Sequence, residues 1–89
     1  MNKLLAEFLG TLLFLYVILV TDGSPIPTGV ALMVCIMIFA KISGANFNPA
    51  VTIMMVAKGG VSPADLLPYI VAQIAGGLAA LELYKRVKI

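Results

Sequence analysis

Residues 43–52 read SGANFNPAVT. Two asparagines, a glycine and a proline stand here between apolar runs, in a chain that is 62% hydrophobic and 11% charged. Ordinary soluble domains are about 45–50% apolar. A soluble domain of 89 residues needs a charged outer face, and this chain lacks the residues to build one. The composition is that of a membrane protein, with the lipid bilayer as its first partner. The basic residues are Lys3, Lys41, Lys58, Lys85, Arg86 and Lys88, scattered where apolar segments end. They form no nucleic-acid footprint, and no nucleic-acid partner is expected.

With no histidine, zinc sites and His-based acid–base chemistry are excluded, and the single cysteine, Cys35, has no intrachain disulfide partner. Its plain reading is a small core hydrophobe. No nucleophile–base pair and no glycine-rich phosphate loop stand out. The expectation is a protein without catalytic residues, metal or cofactor.

Upstream of the polar run, residues 25–42 form an apolar segment with Ser24 as N-cap, Pro25 at the first helical position and Lys41 at the exit. Eighteen helical residues rise about 27 Å, enough to cross a bilayer. Before it, residues 4–20, LLAEFLGTLLFLYVILV, give a helix of about 26 Å that Thr21-Asp22-Gly23-Ser24-Pro25 ends with turn chemistry. A signal peptide is the other reading of this segment. Glu7 interrupts its apolar run and no small-x-small cleavage site follows Val20, which argues for a mature helix. Downstream, a helix is expected over about 63–84, opened by Ser62 and Asp65 in a weak capping box around Pro63. Pro68 falls early in it, where it kinks or delays the helix.

The polar run itself leads into residues 48–58, a helix of only about 16 Å, half of the ~30 Å hydrocarbon core. Asn48 suits its N-cap, Pro49 its first position, and Gly59-Gly60 its end. Such a segment, 43–58 in all, can enter the membrane halfway and return, with Ser43 to Phe47 as an extended descent. Non-helical backbone at that depth requires burial in protein or a wet cavity. On the residues alone, an interfacial loop followed by a short surface helix is an equal reading. Ala72, Gly76 and Ala80 in the last helix, and Ala6 and Gly10 in the first, recur at four-residue spacing. Small residues so placed let membrane helices approach closely, although glycine and alanine are common in any such helix.

SGANFNPAVT, together with AEFLGTLLFLY at 6–16 and PYIVAQIAGG at 68–77, resembles the aquaporin and glycerol-facilitator (major intrinsic protein) family, in the right order over essentially the whole chain. The resemblance implies an all-α membrane protein, residues 1–89 forming one aquaporin-like half of three transmembrane helices and one re-entrant half-helix. It implies a passive channel for water or small neutral solutes such as glycerol. Family members carry two inverted halves whose half-helices meet at mid-membrane; this sequence carries one. The residues implied to line the pore are Gly44, Ala45, Asn46, Phe47, Asn48, Pro49 and Ala50, with Asn48 facing it and Asn46 where the family often has histidine. Asn46 has a loop-stabilising reading of equal weight. The resemblance gives Glu7 the role of holding the loop by accepting its backbone donors; the alternative is an interfacial pair with Lys3, four residues back. Thr11 shares that face, and Gln73 is expected to be a structural hydrogen bonder. The family places an arginine after its second motif, where every copy of this chain has Val51, and an aromatic partner where counting back gives Thr28. The expected pore therefore lacks the arginine–aromatic constriction.

If the amino terminus lies on one side, three spans put Lys3, Lys41 and Lys58 on that side and Lys85, Arg86 and Lys88 on the other. Orientation follows such Lys/Arg bias, and a tie gives none. Insertion both ways up is expected, so an antiparallel homodimer would supply both halves, with dimers grouped four to a particle as the resemblance suggests. The alternatives are pairing with a different half and a non-conducting scaffold or fragment.

Overall fold

Asn2 starts the first helix by accepting the Leu5 N–H on its side-chain oxygen at 2.8 Å. The structure is a computed structural model, and it describes residues 1–87. Its elements are α1 (Lys3–Val20), α2 (Pro25–Ser43), α3 (Pro49–Lys58), a 3-10 turn (Pro63–Asp65) and α4 (Leu66–Arg86), with no strand among the described residues. Lys88, one of the terminal cations counted above, lies outside them. Three helices are long and apolar enough to cross a membrane: Lys3–Val20, Pro25–Ser43 and Pro63–Arg86. The fourth, Pro49–Lys58, is the shorter apolar one. This is an all-α integral membrane protein.

The ends follow from local chemistry, with differences from expectation. Ser24 occupies the N-cap of α2 but makes no side-chain cap bond. Pro25 begins the helix with a ring whose missing N–H is no loss there. Gly44 ends α2 in the left-handed region at φ 87°, and Gly59 ends α3 the same way at φ 96°. Ser62 accepts the Ala64 N–H, but Asp65 does not complete a capping box. Its carboxylate instead takes Lys3 Nζ at 2.6 Å. That pair also removes the Glu7–Lys3 alternative. Pro68 lies in the first turn of α4, where proline is tolerated because the N–H has no helical partner.

Helix α1 is the centre of the molecule, packed on α2 to one side and α4 to the other, while α3 rests on α4. The Lys3–Asp65 pair joins the starts of α1 and α4, and Tyr16 donates to the Val87 carbonyl near their far ends. The two helices therefore run parallel. Their seam is close at Gly76, where a Cβ would lie 2.6 Å from the Phe8 carbonyl oxygen. Ala80 is buried and Ala72 half-buried along the same helix. Large apolar side chains such as Ile26, Met37 and Leu67 face outward, as residues bathed in lipid do. The core is correspondingly small: Ala6, Cys35, Phe39 and Phe47.

Candidate functional site

Glu7 is fully buried in α1, and a buried carboxylate without partners is expensive. It has four. Oε2 accepts from the Ser43 hydroxyl at 2.7 Å and the Asn46 N–H at 3.0 Å. Oε1 accepts from the Phe47 N–H at 2.8 Å and Gln73 Nε2 at 2.9 Å. An ionised carboxylate offers about four lone-pair sites, so its capacity is used. The successive N–H groups of Asn46 and Phe47 form an anion-binding nest.

The nest explains a departure in the loop. The descent through 44–47 is not extended: Ala45 has φ 52° and Phe47 φ 56°, both left-handed. Such non-glycine conformations cost of order 1–3 kcal/mol each and persist only when surroundings over-determine them. The Glu7 carboxylate is that surrounding, because only the coiled backbone turns both N–H groups toward it. Ser43, placed by sequence at the top of the loop, is the last residue of α2. Its hydroxyl also takes the Ala45 N–H, and its carbonyl takes the Tyr69 hydroxyl at 2.7 Å.

Two residues expected at the pore wall turn inward. Asn46 is 7% exposed and donates from Nδ2 to Thr52 Oγ1 at 3.0 Å. Its amide is committed inside the protein, which is the loop-stabilising arrangement. Phe47 is 4% exposed, stacks edge-on to Phe39 at 6.1 Å, and fills the space that Gly10 leaves. A Cβ on Gly10 would fall 2.1 Å from the Phe47 ring. Gly10 is thus the seat of the loop's aromatic ring, and Ala6 joins it in the core beside Cys35. What the loop can offer an open side is its backbone. Among the described residues no donor reaches the carbonyls of Gly44, Ala45, Asn46 or Phe47.

Asn48 is exposed. Its Oδ1 accepts the Ala50 N–H at 2.8 Å, capping α3. That bond fixes the amide orientation and leaves Nδ2 as an outward donor at the positive end of the helix dipole. Pro49 follows at the first position, Ala50 is exposed and Val51 half-buried. Pro49 also lines a concavity of about 260 Å³ between α1 and α4, with Thr11 and Gln73 at its polar points and Leu15, Phe47, Ile74, Gly77 and Leu78 as apolar lining. Thr11 Oγ1 and Gln73 Oε1 are buried without partners. Thr28 lies in the first turn of α2, about 22 Å along the helix from Ser43. Its hydroxyl is likewise unpartnered, so it makes no hydrogen bond to Asn48. Among the described residues no cluster of metal-ligating side chains occurs.

The Major intrinsic protein family model matches residues 1–88. The chain belongs to the major intrinsic protein family. It is similar to "Glycerol uptake facilitator protein-like 6" of Lactiplantibacillus plantarum, 38% identical over 96% of this chain and 43% of the relative. It is also similar to "Glycerol uptake facilitator protein" of Streptococcus pneumoniae, 37% identical over 88% of this chain and 40% of the relative. "Aquaporin-8" of Rattus norvegicus is 35% identical over 89% of this chain and 34% of its own length. The chain thus spans less than half the length of these relatives. No solved structure matches it.

Three site residues escaped the sequence reading: Ser43, Thr52 and Tyr69. The usable signal for Thr52 was its place as the one polar residue of α3 before Lys58. Ser43 and Tyr69 carried none, since their partners lie 36 and 26 residues away.

Proposed function

We propose that this member of the major intrinsic protein family is one half of a passive pore for water and small neutral solutes such as glycerol. A second copy in the opposite orientation supplies the other half, and four such dimers make a particle. The observation that carries the reading is Asn48, with Oδ1 tied to the Ala50 N–H and Nδ2 left to donate from the tip of a half-helix. A passing hydroxyl oxygen accepts that donor, while the unpaired carbonyls of 44–47 replace lost hydration. Two half-helix N-termini meeting at mid-membrane disfavour cations. A water accepting from both Asn48 amides cannot take part in a one-way chain of donors, so proton hopping is interrupted. The channel character of relatives named as glycerol facilitators and aquaporins supports this chemistry and argues against an enzyme.

The test is reconstitution of the purified chain alone in vesicles, with osmotic swelling as readout and Asn48→Trp as the blocked control. Swelling no faster than empty vesicles refutes the homodimeric pore. Val51 in place of an arginine favours a second reading, pairing with a different half that supplies one; swelling that needs a second protein supports it. For orientation, Asp22→Cys and Val87→Cys are each labelled from outside intact cells in a Cys35→Ser background. Labelling of both sites on part of the population is expected; strict one-sided labelling of each contradicts insertion both ways up.

A further inference from the structure

We propose that Thr52 is the positioning residue that sets where Asn48 stands in the pore, an inference that rests on the channel reading above. Thr52 is fully buried, so water cannot substitute for its partners. A hydroxyl has one hydrogen and two lone pairs. Both acceptor positions are filled by amide N–H groups, from Asn46 Nδ2 at 3.0 Å and Gln73 Nε2 at 2.8 Å. The hydrogen is thereby directed to the Asn48 carbonyl at 3.3 Å. One oxygen atom ties together the re-entrant loop, helix α4 and the first turn of the half-helix.

The amide of Gln73 shows that this arrangement is held in one sense. Its Nε2 donates both to Glu7 Oε1 and to Thr52 Oγ1. Its Oε1 is left buried without a partner. Reversing the amide would set that oxygen against the Glu7 carboxylate and leave the nitrogen where Oε1 now finds no partner. With Gln73 fixed by Glu7, the Thr52 hydroxyl has a fixed partner on α4. Helix α3 packs chiefly on α4. The Thr52–Gln73 bond is therefore what resists sliding of the half-helix along its own axis, and such sliding moves Asn48 directly. The Glu7 brace holds the loop at Asn46 and Phe47; Thr52 transmits that position to the helix tip.

The experiment compares the full chain with Thr52→Val, which keeps the shape without the hydroxyl, and Thr52→Ser, which keeps the hydroxyl. Hydrogen exchange of amides 44–48 and 50 in lipid nanodiscs rises about fivefold or more in T52V, the effect of orphaning a buried donor. In T52S it stays within about twofold of the parent. Unchanged protection in T52V overturns the proposal, whether or not the parent conducts. In swelling assays T52V shifts the ratio of water to glycerol permeability by about threefold, because a displaced Asn48 discriminates differently; T52S restores it. That ratio does not depend on how many channels fold. A uniform fall at constant ratio marks a merely structural residue and also overturns the proposal. If T52V does not fold, Thr52→Cys, whose S–H is a weak donor and acceptor, reads in the same way. A parent chain that never conducts by itself refutes the homodimeric pore, and the exchange result alone then decides Thr52.

Discussion

Replacing Glu7 by glutamine exchanges one oxygen for nitrogen in a site where every neighbour is a donor. The amide has two ways to sit. With its nitrogen at the Oε1 position it faces the Phe47 N–H and Gln73 Nε2, two donors that cannot turn round without breaking other bonds. With its nitrogen at the Oε2 position it faces the Ser43 hydroxyl, which rotates to accept, and the Asn46 N–H, which cannot. The second orientation is the cheaper. It orphans one buried N–H, at about 1–3 kcal/mol, and weakens the remaining bonds from charge-assisted to neutral. The net loss is about 2–4 kcal/mol, a large share of the stability of a chain this small. Thermal unfolding in detergent gives the total. Residue-resolved hydrogen exchange gives the geometry: protection falls most at Asn46 and least at Phe47. Equal loss at both amides, or a melting temperature within error of the parent, would refute the four-donor account of Glu7.

Gly10→Ala and Gly76→Ala fail differently. At Gly10 the new Cβ meets the Phe47 ring, which can swing, so about 1–3 kcal/mol is lost together with Phe47 burial; chymotryptic cleavage after Phe47 reports it. At Gly76 it meets the Phe8 backbone oxygen, so α1 and α4 must separate and the loss is the larger of the two in the same thermal assay. Tyr69→Phe deletes the bond to the Ser43 carbonyl and costs about 0.5–1.5 kcal/mol by denaturant titration, with the fold retained. Lys41→Gln changes the Lys/Arg tally to two against three, so copies are expected to favour the orientation with the Lys85–Arg86 end in the cytoplasm. Cysteine labelling of the two ends checks it, and an unchanged mixture of orientations contradicts the charge argument.

Much of the fold is readable locally. Pro25 and Pro49 stand at the first positions of α2 and α3, Gly44 and Gly59 end them, and apolar length separates the three membrane-length helices from the short one. The local reading erred where a side chain had two uses. Ser62 and Asp65 look like a capping box, but a carboxylate at a helix start also attracts a cation, and Lys3 reaches it. Asn46 and Asn48 have the same chemistry two residues apart. Asn48 stays outside because the N-cap position consumes its oxygen and leaves its nitrogen free. Asn46 goes inside because the coil around Glu7 points it at Thr52.

By itself the sequence determined the solvent this protein lives in, three apolar helices of membrane length with one shorter helix, and the presence of one carboxylate inside a membrane-length apolar segment. These depend on composition and on residues within about a turn of each other. The tertiary structure alone decided what that carboxylate holds, that the loop coils instead of extending, and that Gly10 seats the Phe47 ring. Those outcomes rest on bonds between residues 36 to 66 positions apart. The directions of such bonds exist only after α1, α2 and α4 have packed, because a hydrogen bond is set by angle and distance and not by residue type.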